Sequence, residues 1–222
     1  MKNPSPRSTN SRAFSLIELL VVIAIIGVLA AFSYGPIMST IKGAKIEEGN
    51  KMANDIVFAI EQFEQTYDYL PYATKSIGLR DDSESDNPES SVQGDLIIYR
   101  GPHLAELLKV LMGKESTPDI NPQNTQFFTA KTASNGVNGL EFEANGESPA
   151  DLLDPWGNSF TVIIDYSGDN IIDLAGTNFQ GHTDKQGSPR KIRQVAIAGS
   201  PGPDKEFYVD GQDAPEDDVS SF

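Results

Sequence analysis

The sequence predicts an α+β protein whose long N-terminal α-helix has a membrane half and an amphipathic half. This helix is expected to pack on a small antiparallel β-sheet, with an acidic loop near the C-terminus. Two features of the 222 residues predict this fold. An apolar segment near the N-terminus is followed by a stripe of apolar residues at helical spacing. Short segments rich in β-branched residues and bounded by turn residues then occupy the second half of the chain.

Residues 14–35 are the predicted transmembrane or filament-core helix, since residues 19–32 contain no polar side chain. A helix over residues 14–34 would be about 32 Å long, which matches a bilayer core of about 30 Å. Residues 1–13 carry three basic side chains and no acidic one, which predicts that this end stays cytoplasmic. A cleaved secretory signal peptide and a simple signal anchor are the alternatives that this composition leaves open.

Glu18 is an acidic residue inside the apolar segment. A carboxylate within a bilayer costs about 2.5–3.5 kcal/mol on insertion scales, and such residues usually have a partner. A free α-amine on a neighbouring helix, packed with an axial stagger, would supply the opposite charge. The position of Glu18 therefore predicts membrane-embedded helices that associate through charge pairing.

Residues 13–30, Ala-Phe-Ser-Leu-Ile-Glu followed by twelve apolar residues or Gly, resemble the class III leader and helix of type IV pilins and type II secretion pseudopilins. The resemblance implies that a prepilin peptidase cuts between Ala13 and Phe14 and methylates the new N-terminus. It also implies that Glu18 guides filament assembly. Ala13 stands where this family usually has Gly.

The second half of the long helix is predicted over residues 36–72, where a polar face opposes an apolar one. Six apolar residues recur at a spacing of about 3.6 residues, and they are Met52, Ile56, Ala59, Ile60, Phe63 and Tyr67. One helix is therefore expected from about residue 14 to residue 68. Residues 73–222 form the predicted periplasmic globular domain.

Smaller elements are predicted within the globular domain. Leucines at helical spacing predict a short helix over residues 103–113, which Gly113 ends. Strands are predicted over residues 125–130, 140–142, 159–164, 192–198 and 205–209. The polar residues 74–93 and 115–124 are predicted to be loops.

Composition excludes several classes of function. The chain has no cysteine, so disulfide scaffolds, Cys-ligated zinc and Cys nucleophiles are excluded. It has only two histidines, His103 and His182, which argues against a His-rich metal site. The net charge of −15 argues against nucleic-acid binding, which needs a basic surface. Catalytic sequence motifs are absent, so we expect that the protein is not an enzyme.

The acidic segment near the C-terminus is a candidate calcium loop, although acidic tails are also commonly just solvated. Residues 200–204, Ser-Pro-Gly-Pro-Asp, and the later Asp-Asp-Val at 217–219 are similar to the calcium loop of major pseudopilins. The resemblance implies one calcium site with carboxylates from Asp204, Asp217 and Asp218, and with carbonyl oxygens from Pro201 and Ala214. The loop is longer than is typical, so Asp210 or Asp213 could replace one of these ligands.

Two further motifs lie in the second half of the chain. Asp154-Pro-Trp-Gly-Asn158 contains the single tryptophan and is predicted to be a turn that fixes the fold. The same string resembles a turn of major pseudopilins. Residues 165–173 place carboxylates as in an EF-hand loop, but the sixth position lacks Gly and the twelfth lacks Glu. A turn between strands is the favoured interpretation there, and a second metal site stays the alternative.

The resemblance implies a structural subunit of a type II secretion pseudopilus. Such a subunit forms a homopolymer and has as partners the prepilin peptidase, other pseudopilins and the inner-membrane assembly platform. It would be a single-pass protein of the bacterial inner membrane with a periplasmic globular domain. A type IV pilin or minor pilin is one alternative. A membrane-anchored, calcium-dependent binding ectodomain is the alternative from another class.

Overall fold

The computed structural model describes residues 15–71, 90–93, 96–114, 120–144, 146–184, 186–207 and 218–222, with the backbone alone at 33–37 and 90–93. The chain divides into two compact units, Met1–Gly43 and Ala44–Phe222. The first unit contains the beginning of helix α1 (Leu16–Tyr67), and the second contains the rest of that helix and every strand that the structure describes.

Helix α1 confirms the long helix that the apolar pattern predicts, and it runs without interruption for 52 residues. Every described side chain from Leu16 to Phe32 is exposed. Among the residues that the structure describes, however, no helix meets the length and hydropathy requirements of a membrane span. The transmembrane assignment over residues 14–35 stays a prediction.

The main β-sheet of the second unit consists of β1 (Ser90–Gln93), β2 (Leu96–Tyr99), β5 (Thr161–Asp165), β8 (Ala196–Ser200) and β9 (Val219–Ser220). These five strands pair in antiparallel fashion in the order β1-β2-β5-β8-β9. Two antiparallel pairs complete the strands: β3 (Gly139–Phe142) with β4 (Pro149–Leu153), and β6 (Ile172–Asp173) with β7 (Lys191–Ile192). These pairings confirm the predicted α+β fold.

The amphipathic stripe of α1 belongs to the main hydrophobic core. Ile56, Ile60 and Phe63 are completely buried, in one cluster with Ile97 and Val162 of the sheet. Burial of side chains this large contributes about 1.5–3 kcal/mol each. This packing, rather than helix propensity, is what holds the second half of α1 in place.

Helix α2 (Pro102–Leu111) contributes four buried leucines to the same core. Its end is a Schellman motif. The Gly113 N–H bonds to the Val110 carbonyl at 3.1 Å, and the Lys114 N–H bonds to the Lys109 carbonyl at 2.8 Å. Gly113 has φ 64°, in the left-handed region that glycine adopts at little cost, so the predicted helix end is confirmed.

The sheet is covered on both faces. Alternate residues of β2 enter different clusters: Ile97 and Tyr99 pack with the helices, and Leu96 and Ile98 pack with Phe179. Strands β2, β5 and β8 are consequently buried at every position. Such strands read as continuous apolar runs instead of alternating ones.

Some predicted elements differ from the structure. Residues 125–130 form no strand, and residues 205–207 follow a short 3-10 helix, Gly202–Asp204, instead of forming one. Residues 208–209 lie outside the described part. The last strand that the structure describes is β9, which pairs with β8 at the edge of the sheet. Residues 90–93, predicted to be loop, form β1.

Candidate functional site

Glu18 lies in the first turn of α1 and its side chain is exposed. The backbone N–H of Ser15 donates a 2.8 Å hydrogen bond to Glu18 Oε2. In return, the Glu18 N–H donates to the Ser15 carbonyl at 3.0 Å. A Glu that reaches back from the third helical position to the N-cap residue is one half of a capping box.

This geometry gives Glu18 a local role that the sequence analysis missed. The signal was present in the sequence, since Ser15-Leu-Ile-Glu18 has the Ser-x-x-Glu pattern of a capping box. The carboxylate also interacts favourably with the positive end of the helix dipole. The two residues of the predicted cleavage site, Ala13 and Phe14, lie outside the described residues.

The surface of α1 between residues 16 and 32 is almost entirely apolar. Leu16 is 82% exposed and Phe32 is 79% exposed, and the large apolar residues between them are all at least 46% exposed. A helix that is apolar all round belongs in the interior of an assembly or a membrane. An exposed apolar surface of this extent marks an interaction site.

The turn at residues 154–158 is built around a buried carboxylate. Asp154 is 0% exposed. Its Oδ1 accepts hydrogen bonds from the N–H groups of Trp156 and Asn158 at 2.8 and 2.9 Å. Its Oδ2 accepts from Asn158 Nδ2 at 2.9 Å and from Ser200 Oγ at 2.8 Å. The structure supports the predicted fold-fixing role of this turn.

Neighbouring elements converge on this turn. Lys45 of α1 lies over the Trp156 ring, with Nζ 5.6 Å from the ring centroid. Gly157 has φ 89°, and a Cβ atom there would lie 2.9 Å from the carbonyl oxygen of Gly136. Gly136 and Asn135, both at positive φ, form a two-residue hairpin turn of type I′ geometry. The Asn-Gly dipeptide is a sequence signal for such a turn, which the predicted elements did not include.

The candidate calcium ligands that the structure describes lie on the two arms of the β8–β9 hairpin. Ser200 is opposite Val219 in the register, so Pro201 and Asp218 follow this last pair at the loop end of the hairpin. Asp204 ends the 3-10 helix, and its Oδ1 accepts the Glu206 N–H at 3.0 Å. Ala214 and Asp217 lie outside the described residues, as do Asp210 and Asp213.

These donors are oxygen atoms of carboxylates and a carbonyl, which is the chemistry that calcium requires. Of the five predicted ligands the structure describes Pro201, Asp204 and Asp218, so the calcium site stays a prediction. Within the described residues, no group of three or more His, Asp or Glu side chains could hold a metal.

Asp218 has a contact that the sequence analysis did not predict. Its Oδ2 lies 3.4 Å from His182 Nε2, and both side chains are almost completely buried. The His182 ring packs against Phe179 and Phe222, with centroids 6.3 and 5.0 Å apart. The pairing was not visible in the sequence because the two residues come from distant segments.

His103, predicted at the start of a helix, lies in the first turn of α2.

Carboxylates of the segment 165–173 bind backbone groups of their own turn. Asp165 accepts from the N–H groups of Ser167 and Asn170 at 2.8 and 2.7 Å. Asp173 accepts the Ala175 N–H at 3.0 Å and pairs with Lys191. That backbone hydrogen bond and the Lys191 contact lower the pKa of Asp173. The segment is a turn between β5 and β6, as predicted.

The N-terminal residues match a known family. Residues 8–34 match the model of the prokaryotic N-terminal methylation motif. The match indicates a type IV pilin-like precursor, a class that is processed by a prepilin peptidase and assembles into pilus-like filaments. It supports a membrane-anchored protein related to export. No curated protein and no solved structure matches the chain significantly.

Proposed function

We propose that the chain is a structural subunit of a type II secretion pseudopilus. The observation that carries this proposal is the methylation motif at residues 8–34, which leads directly into a helix whose apolar side chains are exposed all round. Apolar side chains in this arrangement need partners, and other copies of the same helix supply them in a filament. The product is a homopolymer that supports protein export.

Assembly begins with processing between Ala13 and Phe14 by the prepilin peptidase. Cleavage leaves an N-methylated amine on Phe14, and this cation pairs with Glu18 of the adjacent copy. A buried carboxylate is tolerated in an apolar environment when an opposite charge neutralises it. The pair would therefore set the axial register between neighbouring subunits.

Before assembly the subunit is held in the bacterial inner membrane by residues 14–35, with the N-terminus in the cytoplasm and the globular domain in the periplasm. The basic residues of the leader support this orientation. The partners at this stage are other pseudopilins and the inner-membrane assembly platform. The protein acts as a structural component and not as an enzyme.

Calcium is proposed to order the C-terminal loop, with ligands from Pro201, Asp204, Ala214, Asp217 and Asp218. The positions of Pro201 and Asp218 at one end of the β8–β9 hairpin support this ligand set. Seven acidic residues lie between positions 204 and 218, with one lysine. A hard divalent cation would offset their mutual repulsion. Without a disulfide, the domain would gain stability from the bound ion.

The methylation motif supports a type IV pilin or a minor subunit equally well. A membrane-anchored, calcium-dependent binding ectodomain is the alternative of another class, and it would not need the charge of Glu18. Loss of filaments on substitution of Glu18 therefore separates a subunit from an anchored ectodomain.

Determination of the mature N-terminus tests the proposal. Intact-mass and N-terminal peptide analysis of the protein from a host with a prepilin peptidase should show a start at N-methyl-Phe14. A matched host without the peptidase should give the unprocessed chain. A start near Ser33, or an intact Met1 in the host with the peptidase, would contradict the proposal.

A further inference from the structure

We propose that the globular unit binds a second copy of this chain, with the exposed turn after β5 of one copy entering a cation-lined cavity of the next. Tyr166 and Asp169 of the turn would meet Arg100 and Lys205 of the cavity. The inference rests on the proposed function, because a filament is the assembly in which the copies meet. It goes further by assigning a contact between copies to the globular unit.

The cavity has a volume of about 550 Å³ and lies at the beginning of β5, between the residues that follow β2 and those that follow β8. Ligand sites commonly have volumes of about 300–1,000 Å³. Two cationic side chains, Arg100 and Lys205, line the cavity. No Asp or Glu is among the described residues that line it. The cavity is therefore suited to an acidic group.

One wall of the cavity is set by the register of the main sheet. Tyr99 is opposite Val162, so Arg100 and Thr161 follow this last pair side by side. Thr161 is only 2% exposed. Arg100 Nη1 donates to Asn178 Oδ1 at 3.3 Å. This hydrogen bond holds the guanidinium group at the cavity, because Asn178 also lines it.

A second wall combines a cation with an aromatic ring. The Phe207 ring packs edge-on against Phe179, with ring centroids 5.1 Å apart. Lys205 has φ 68°, in the left-handed region that a non-glycine residue adopts at a cost. Residues held in such conformations cluster at binding sites. The acidic residues on either side of Lys205 in the sequence do not line the cavity.

The charge of the chain indicates an acidic partner, and another copy of the chain is one. The sequence has 32 acidic and 17 basic residues, which gives a net charge of −15. Copies with this charge repel each other. A contact that pairs a cationic cavity with an acidic surface reduces the repulsion and fixes how the copies are arranged.

The turn after β5, residues 166–170, carries an acidic and an aromatic side chain at the surface. Tyr166 is 50% exposed, and Asp169 is exposed. The Asp169 N–H donates to Ser167 Oγ at 3.1 Å, and Asp169 Oδ1 accepts the Ile171 N–H at 2.8 Å. These hydrogen bonds fix the turn within a single copy. A preformed turn loses less conformational entropy when it binds.

The cavity and the turn lie at opposite ends of β5, which begins at Thr161 and ends at Asp165. Four steps of about 3.3 Å per residue separate these two residues by about 13 Å. A contact between two different surfaces of the same chain is heterologous, and it closes into a ring or continues as an open helical filament. Each copy of a filament can therefore receive one turn and present its own.

The lack of cysteine in the chain makes the contact testable by disulfide cross-linking. The full-length chain carrying both Lys205→Cys and Asp169→Cys would be expressed in cells that assemble filaments and then mildly oxidised. We expect a ladder of dimers and higher oligomers, since each copy has one cysteine for each neighbour. The matched control combines Lys205→Cys with Asp184→Cys. Asp184 is also exposed, and its Oδ1 also accepts an N–H from two residues further on.

A charge exchange tests whether opposite charges hold the contact. Lys205→Glu and Asp169→Lys each place like charges together, and each should lower the yield of sheared filaments about tenfold. The double variant restores opposite charges and should recover the yield of the parent. Because the double variant contains both substitutions, its recovery also excludes misfolding as the cause of the loss.

The outcomes separate this contact from the proposed function. Filaments without a ladder from the Lys205–Asp169 cysteine pair would overturn the contact and leave the proposed function intact. A ladder of equal strength from the control with Asp184→Cys would also overturn the contact, as would a double variant that stays as poor as the single ones. A parent chain that is processed at Phe14 and forms no filaments would overturn the proposed function together with the contact.

Discussion

Gly49 of helix α1 lies directly against Val219 of the last strand, so closely that a Cβ on Gly49 would be 2.6 Å from Val219 Cγ2. One residue further along, Asn50 Oδ1 accepts the Ser220 N–H at 3.0 Å. Val219 is completely buried. The glycine therefore permits the close approach of the C-terminal strand to the helix, and the amide of Asn50 completes the contact.

Gly49→Ala should destabilise the protein despite the better helix propensity of alanine. Alanine gains about 1 kcal/mol in a helix interior, but overpacking a filled core costs about 1–3 kcal/mol. The matched control is Gly43→Ala in the same helix, where a Cβ would meet nothing within 4 Å. Thermal unfolding by circular dichroism should show a lower melting temperature for Gly49→Ala and an equal or higher one for Gly43→Ala. A higher melting temperature for Gly49→Ala would contradict the close packing.

Asn121 should be one of the most sensitive polar residues of the globular unit. It is completely buried, and its Nδ2 donates to the carbonyls of Val110 and Thr125 at 2.8 and 2.7 Å. Its Oδ1 accepts from Tyr67 Oη at 2.8 Å. Asn121→Ala leaves several buried groups unsatisfied at about 1–3 kcal/mol each, whereas Tyr67→Phe removes a single donor. We expect the melting temperature to fall clearly further in Asn121→Ala than in Tyr67→Phe. Equal decreases would refute the hydrogen-bond network around Asn121.

Burial raises the pKa of Asp151 above its ordinary value of 3.8, despite hydrogen bonds from Ser159 Oγ and the Leu152 N–H. Glu141, directly opposite on β3, raises it further. The folded state holds this proton more tightly than the unfolded state does. The protonated Asp151 therefore makes its full contribution to the free energy of unfolding below about pH 4, and this contribution is lost as the pH rises through the raised pKa.

Asp151→Asn should therefore melt at a higher temperature than the parent at pH 7. The amide oxygen can still accept both hydrogen bonds, so the main change is the loss of the half-buried charge. The gain should shrink as the pH is lowered towards 4, where the parent becomes protonated. A constant difference between pH 4 and pH 7, measured by melting curves at matched ionic strength, would argue against burial as its cause.

Calcium should raise the melting temperature of the full-length chain, and EDTA should reverse the effect. A free calcium concentration of about 100 times the Kd adds about 2.7 kcal/mol to the free energy of unfolding. Asp204→Asn should abolish this gain. Asp184→Asn is the matched control, since both carboxylates are exposed and each accepts an N–H two residues further on. Equal calcium responses of the two variants would exclude Asp204 as a ligand.

The sequence predicts the elements whose signals are local. Helix α1, helix α2 with its end at Gly113, and the turn at residues 165–173 all follow from spacing and turn chemistry. The capping box of Ser15 and Glu18 could also have been found, because both partners lie within one helical turn.

Other features depend on contacts between distant segments. Strand β2 is only four residues long and is buried on both faces, so it shows no alternation. The Ser200 donor to Asp154 is 46 positions away along the chain. The contact of Asp218 with His182 likewise depends on the completed sheet. Such features follow from the tertiary fold and not from any local pattern.

The charge of Glu18 is the central claim, and it can be separated from the capping role of the same side chain. Glutamine at this position also completes a capping box, so Glu18→Gln keeps the helix start and removes the charge. Glu18→Ala removes both. The decisive measurement is the yield of filaments sheared from cells that express the parent or either variant, with processing at Phe14 checked in each. Loss of filaments in both variants, with processed subunits still in the membrane, is the predicted result; normal filaments from Glu18→Gln would contradict the account.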